Sequence, residues 1–353
     1  MSKHFKHLAI YATLSVASGA AFASAPASYL GSTGSYTCPP CAPGETARPG
    51  LNQALLQGTT VQTMLTITNS ISSRASFVGG PMRLSSLGEP RTGMAAGDAS
   101  SKLNVWGSYG FISREDTKAG QQTDADIDNP VIGADYQIAP NLVLGVSGAF
   151  DDGDGNIFNA VGFAKTRFEN KGYSIAPYVA WQINQNWSLD AAIGWGEGKF
   201  KTNSPGGPGS ADSDRMFGGA NLSYTRWMDN WQFLGKGSYM YAEEEYENSK
   251  FNGVTVANTG VTNKLSQLRL GAQAGYWLGG GWLPYAGLAF VSDSDVSPKV
   301  APGIKWDKQA WVGTVGINYF SAKNDIYGGI AINDESRNGT TNTSVLLNIN
   351  FRF

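Results

Sequence analysis

The sequence predicts an all-β transmembrane barrel of about 12 antiparallel strands, closed on itself, and three observations carry that expectation. The first is the carboxy terminus. From Thr343 to Phe353 it reads T-S-V-L-L-N-I-N-F-R-F, so Val345, Leu347, Ile349, Phe351 and Phe353 share one strand face, and Leu346, Asn348, Asn350 and Arg352 share the other. An apolar face backed by a polar one, ending on an aromatic residue, fits a wall between lipid and a wet lumen. The second is the number of strand-like segments after Ser101, about twelve of around ten residues each, the length a tilted strand needs to cross lipid. They begin near Lys102, Asp128, Asn141, Lys171, Trp187, Asp214, Trp231, Lys264, Trp282, Lys308, Asn324 and Thr343. The third is the order of their connections. Tight turns at Ala139-Pro140-Asn141, Asn184-Gln185-Asn186, Met228-Asp229-Asn230, Gly279-Gly280-Gly281 and Ala322-Lys323-Asn324 alternate with long polar loops centred on Lys118, Gly155, Gly206, Phe251, Pro298 and Gly339. Short periplasmic turns and long external loops alternate in this way in outer-membrane barrels, and a soluble sandwich has no reason to keep that order.

Composition agrees. Charged residues are 15% of the 353, below the ~25% of soluble domains, while aromatics at 12% and 45 glycines suit curved strands with aromatic girdles. No run of about 18 apolar residues follows the amino-terminal segment, which excludes helical spans.

At the amino terminus Lys3 and Lys6 precede an apolar stretch from Leu8 to about Ala21, then Ala21-Phe22-Ala23, so residues 1–23 read as a signal peptide cut between Ala23 and Ser24. Its removal takes two lysines, moving the formal charge from -2 to -4, and both histidines, His4 and His7. Residues 24–50 are a Pro/Gly/Ser-rich linker holding Cys38-Pro39-Pro40-Cys41. In an exported chain Cys38 and Cys41 read as a small structural disulfide, because neither a helix amino terminus to activate a thiol nor enough ligands for zinc stands beside them.

Residues 51–78 are expected to form a helix: Leu51, Leu55, Val61, Met64, Leu65, Thr68 and Ile71 recur at roughly helical spacing after Pro49-Gly50, with Gly58 and Thr59-Thr60-Val61 as weak points. Gly79-Gly80-Pro81 ends it, residues 79–100 are a connection, and 101–353 are the barrel. Within the barrel, Tyr173, Ile175, Pro177, Val179, Trp181 and Ile183 oppose Ser174, Ala176, Tyr178, Ala180 and Gln182. In the eighth segment Leu268, Leu270, Ala272, Ala274, Tyr276 and Leu278 oppose Gln267, Arg269, Gly271, Gln273 and Gly275. Trp187, Trp231 and Trp282 each follow a tight turn and would form a periplasmic aromatic belt. The segments at Asn141 and Asp214 alternate too poorly to be oriented.

From about Leu51 to Phe353 the chain resembles an autotransporter (type V secretion) translocator. The residues that carry the resemblance are Gly97-Asp98-Ala99-Ser100-Ser101-Lys102-Leu103-Asn104-Val105-Trp106-Gly107 leading into the first strand, the strand count, the preceding helix and Phe353. The resemblance implies a twelve-stranded barrel threaded by one helix, through which an amino-terminal passenger reaches the cell surface. It also implies that the terminal stripe of Val345, Leu347, Ile349, Phe351 and Phe353 is the signal read by the barrel-assembly machinery. A helix 10 to 12 Å across fits such a bore, and about twenty residues cross ~30 Å. Only about 27 residues stand between Ser24 and the helix, so the exported segment is expected to be very short. The alternative is a stand-alone outer-membrane barrel acting as a pore or as a surface-exposed structural or adhesion protein.

An enzyme is not expected. Outer-membrane phospholipases, omptin-like proteases and lipid A acyltransferases rely on a histidine base, and the mature chain has none. Gly194-Trp195-Gly196-Glu197-Gly198-Lys199 looks like a phosphate loop but has Ile193 and Phe200 where the motif needs Gly and Ser or Thr, and reads as strand. Asp151-Asp152-Gly153-Asp154-Gly155-Asn156 begins like a calcium loop yet lacks its Gly and Glu, and it and Glu243-Glu244-Glu245 read as solvated external segments. No cofactor and no metal is expected. Asp190, Lys236, Arg269 and Arg352 are expected to face the lumen. The expected partners are outer-membrane lipid, lipopolysaccharide and the barrel-assembly machinery, with no nucleic acid, and the expected state is a monomer.

Overall fold

The computed structural model describes residues 63–72, 102–118, 121–159, 164–257, 259–297, 308–321 and 326–352. Ala23, Ser24, Cys38, Cys41 and Phe353, with residues 51–62 and 73–78 of the expected helix, lie outside the described residues. Twelve long strands form the wall: β1 (Leu103–Lys118), β2 (Gln121–Ala139), β3 (Leu142–Asn159), β4 (Ala164–Gln182), β5 (Trp187–Ser204), β6 (Gly207–Met228), β7 (Trp231–Tyr246), β8 (Val261–Tyr276), β9 (Trp282–Ser297), β10 (Gln309–Ser321), β11 (Ile326–Arg337) and β12 (Thr340–Arg352). Each is hydrogen-bonded to its neighbours in chain order, and β12 returns to β1 from Asn104↔Arg352 to Asp116↔Thr340. Closure leaves no free sheet edge, which is the condition for strands to sit in lipid. A two-residue hairpin, Lys250–Phe251 with Val254–Thr255, lies between β7 and β8 and pairs with the outer end of β6 at Gly209 and Ser210.

The lower rim is built where the sequence places its tight turns. Asn184 accepts hydrogen bonds from the backbone N–H groups of Asn186 and Trp187 at 2.9 and 3.0 Å. Gly279, Gly280 and Gly281 all have positive φ (83°, 60° and 94°), a path that side chains with a β-carbon rarely follow. Just above these turns, Trp187, Trp231 and Trp282 each meet a tyrosine of the next paired strand. Trp187–Tyr224, Trp231–Tyr276 and Trp282–Tyr319 have ring centroids 4.9, 5.0 and 4.7 Å apart.

A second aromatic ring lies eight residues along the same strands: Trp195 above Trp187, Tyr239 above Trp231, Phe290 above Trp282 and Trp311 above Tyr319. At about 3.4 Å per residue and a tilt near 40°, eight residues rise about 21 Å, close to the apolar band of an outer-membrane barrel.

The strands are 12 to 22 residues long, longer than the expected ten or so, because pairing continues well above the upper ring. Lys118, Gly155, Gly206 and Gly339 are therefore not centres of long loops. Gly155 sits inside β3 opposite Ala125 and Phe168, while Gly206 and Gly339 lie in short turns at the outer ends of hairpins. Longer connections remain between Tyr246 and Val261 and between Ser297 and Gln309.

Above the lipid the polarity of the wall inverts. Phe200 points inward between outward-facing Lys199 and Lys201, and stacks on Phe168 at 5.8 Å within a buried cluster of Ala125, Ile157, Ala211 and Tyr246. Here water is outside and the interior is dry, so this part follows the ordinary rule for soluble sheets. Its outer surface carries cross-strand ion pairs such as Lys171–Asp152 (2.8 Å) and Lys264–Glu243 (3.0 Å). Hydrogen bonds from Tyr241 and Lys264 hold the Glu243 carboxyl below its usual range.

The structure also orients the two ambiguous segments. In β3 Val143, Ser147, Ala149 and Asp151 face inward, and in β6 Ser213, Arg215, Phe217, Asn221 and Ser223 do. Their inner faces mix apolar and charged side chains, which hides the alternation.

Candidate functional site

The lumen holds the helix, residues 63–72. Thr63, Met64, Thr66, Ile67, Thr68, Ser70, Ile71 and Ser72 are all buried, and Leu65 and Asn69 are half-buried. A segment this rich in threonine and serine is a poor isolated helix, because those hydroxyls compete for backbone groups. Here they are used inside the barrel. Thr68 Oγ1 donates to the Met64 carbonyl at 2.8 Å and Ser70 Oγ to the Thr66 carbonyl at 2.6 Å, while Ser70 and Ser108 hydroxyls meet at 2.6 Å.

Two glycines of the wall make room for it. A β-carbon on Gly110 would stand 2.8 Å from Thr66 Cγ2, and one on Gly219 would stand 3.3 Å from Thr68 Cγ2. The apolar side of the helix, Met64, Ile67 and Ile71, packs with Trp106, Val131, Ala149, Ala176, Tyr178, Phe217, Met240, Ala242 and Leu265. Trp106 is itself fixed: its Nε1 donates to Tyr178 Oη at 2.7 Å, and that hydroxyl donates to Asp135 at 2.8 Å.

The contacts fix the direction of the helix. β1 runs from the lower rim at Leu103 to the outer end at Lys118, and Ser70 lies at Ser108 while Thr66 lies two residues higher at Gly110. Lower down, Ser72 hydrogen-bonds Asp190, only three residues above Trp187. The amino end of the helix points outward and its carboxy end toward the periplasm.

A profile of the autotransporter beta-domain matches residues 103–319, more than half of the chain. The chain belongs to that family. It is an outer-membrane autotransporter barrel, and solved translocator structures share its fold. The translocator domain of NalP from Neisseria meningitidis aligns with a TM-score of 0.59 at 13% identity, over 80% of this chain and 98% of that one. The transport unit of AIDA-I from Escherichia coli aligns at 0.57 and 13%, over 80% and 98%. The beta domain of the Bordetella autotransporter BrkA aligns at 0.56 and 16%, over 71% and 100%. A comparison with curated protein sequences finds no match.

In this autotransporter barrel three of the expected lumenal charges lie on inward-facing positions. Asp190 is buried and accepts from Asn221 at 2.5 Å, Lys236 is a positive charge that interacts with it, and Arg269 pairs with Glu335 at 3.2 Å. Arg352 lies on β12 opposite Asn104, and its side chain is outside the described residues. Leu347, Ile349 and Phe351 are exposed on the lipid face and Val345 is half-buried on the same face. The Gly194–Lys199 run is part of β5, as its composition indicates.

Two corrections concern charge. Asp151 and Glu244, expected in solvated external segments, point into the barrel and clamp Arg215 at 2.7 and 2.8 Å, with all three side chains no more than 2% exposed. A second buried cluster joins Arg337 to Asp293 (2.5 Å) and Glu335 (2.8 Å), near Arg114 paired with Asp116 (3.3 Å). Sequence reasoning missed both, although inward parity counted from Phe217 places Arg215 on the same face.

Proposed function

We propose that this barrel carries the segment upstream of its helix to the cell surface and anchors it there, working as a translocator without enzymatic chemistry. The observation that supports it is the direction of the lumenal helix: its amino end points outward, so the preceding chain has the outer side as its exit. The polar hydroxyls of the helix suit passage through a wet bore better than burial in a permanent core, and their internal hydrogen bonds remove the cost of leaving water. The lack of any histidine after the expected cleavage site supports the non-catalytic reading.

Lipopolysaccharide around the charged outer wall, and the barrel-assembly machinery reading the terminal stripe, are the partners this reading needs. It requires no nucleic acid and no second copy. An epitope tag near Gly44 tests it on intact cells, with a tag in the β5–β6 turn at Gly206 as control. Antibody or protease reaching both tags is the expected result. A Gly44 tag that is protected until the outer membrane is broken, beside an exposed Gly206 tag, would reject the translocator reading.

A further inference from the structure

The helix sits off the barrel axis. Its packing partners come from β1–β4 and β6–β8, and it leaves a cavity of about 270 Å³ lined mostly by β7–β12. That cavity reaches down to Gln182, Gln232 and Phe320 at the lower ends of β4, β7 and β10, so it belongs to the periplasmic half of the lumen. A smaller cavity of about 40 Å³ continues it upward past Leu65 and Thr66 and shares Asn69, Arg269 and Asn333 with it.

The lining is suited to ions. Among the described residues, the only charged side chains facing the larger cavity are Lys236 and Arg269, on adjacent strands with Lys236 opposite Gly271 and Arg269 opposite Ser238. Their counter-charges stand outside its lining: Asp190, which interacts with Lys236, also accepts from Asn221 and Ser72, and Glu335, which pairs with Arg269 at 3.2 Å, also binds Arg337. Trp227 Nε1, Arg269 Nε and Asn348 Oδ1 belong to lining residues and are buried with no hydrogen-bond partner in the protein. Buried polar groups of this kind are normally completed by water or an ion.

Toward the outer side the same strands close. Arg337 binds Asp293 and Glu335 across β9 and β11, and these three side chains are 7%, 1% and 6% exposed. Arg114 and Asp116 on β1 stand next to them, with Thr340 Oγ1 donating to Asp116 at 3.1 Å.

We propose that the lumen beside the helix is a path for small anions, entered from the periplasmic side and closed at its outer end by the Arg337–Asp293–Glu335 cluster. Two fixed cations facing the larger cavity, whose described lining has no carboxylate, favour chloride over potassium there. The cluster closes the path because it fills the space with side chains that hold one another. Opening it does not require the helix to leave.

The experiment holds the helix in place and removes the cluster. Ser70→Cys with Ser108→Cys, in a Cys38→Ser/Cys41→Ser background, is oxidised to a disulfide, for which the 2.6 Å approach of the two hydroxyls is suitable. Single-channel current in potassium chloride is then compared with and without Asp293→Ala/Glu335→Ala/Arg337→Ala, which removes the three charges of the cluster together and leaves Arg269, the other partner of Glu335, facing the opened path. The disulfide-locked triple variant is expected to conduct on the order of threefold or more above the locked parent, with a reversal potential on the chloride side in a salt gradient. Lys236→Gln should move that potential toward potassium.

If the triple variant does not reach the folded, heat-modifiable form, Asp293→Asn/Arg337→Gln keeps the volume while removing the ion pair and should give a smaller rise. Equal conductance in locked parent and locked variant, or potassium selectivity, would overturn the proposal. So would failure of the disulfide to form, since the path exists only if the helix lies where Ser70 meets Ser108.

Discussion

At Gly110 the wall has no room for a β-carbon, because Thr66 of the helix already occupies the space 2.8 Å away. Gly110→Val should therefore displace the helix or strain β1 by about 1–3 kcal/mol, the usual cost of overpacking. A lower urea midpoint for the folded barrel, together with a larger pore conductance, is the expected outcome. Arg215 makes the opposite kind of prediction. Arg215→Ala leaves Asp151 and Glu244 buried without the counter-charge they share, so it should destabilise the barrel by about 3–5 kcal/mol, seen as a fall in the temperature at which heat-modifiable mobility is lost. Neutralising Asp151 and Glu244 in the same chain should recover most of the loss. At this scale the sequence was only partly legible. Trp187, Trp231 and Trp282 announce their level because each follows a turn, whereas Arg215 and Glu244 look like surface residues until the strand parity and the dry outer interior are known.

At the scale of elements, the strands of the lipid band and the tight turns are readable because lipid imposes a two-residue alternation and the turns need glycine or asparagine. Strand length is not readable from the same rule. Above Trp195 the solvent outside changes from lipid to water, Phe200 turns inward and Lys199 and Lys201 outward, and an apolar-outside pattern no longer marks the strand. This is also why Asp151 and Gly155 looked like loop. The helix carries a testable consequence of its own. If it fills most of the bore, deleting residues 24–78 should raise the conductance of the purified barrel in planar bilayers well above that of the full chain. Equal conductance would mean that the segment does not occupy the lumen.

At the scale of the whole molecule, closure of β12 on β1 makes the last strand the one that completes assembly. Its lipid-facing stripe was legible from the alternation alone, and Leu347, Ile349 and Phe351 are exposed on that face. Deleting Phe353 should sharply lower the amount of barrel inserted in the outer membrane while export to the periplasm continues. Unchanged insertion would remove the terminal aromatic as the assembly signal.

The direction of the lumenal helix is the claim on which the rest depends, and paired cysteines read it directly. Ser72 reaches Asp190 near the lower rim, and Met64 stands eight residues, about 12 Å, further up the helix axis. In the background without Cys38 and Cys41, oxidation of cells carrying Ser72→Cys with Asp190→Cys should cross-link helix to wall, and Met64→Cys with Asp190→Cys should not. The reverse pattern, or no cross-link in either pair, would contradict an outward-pointing amino end.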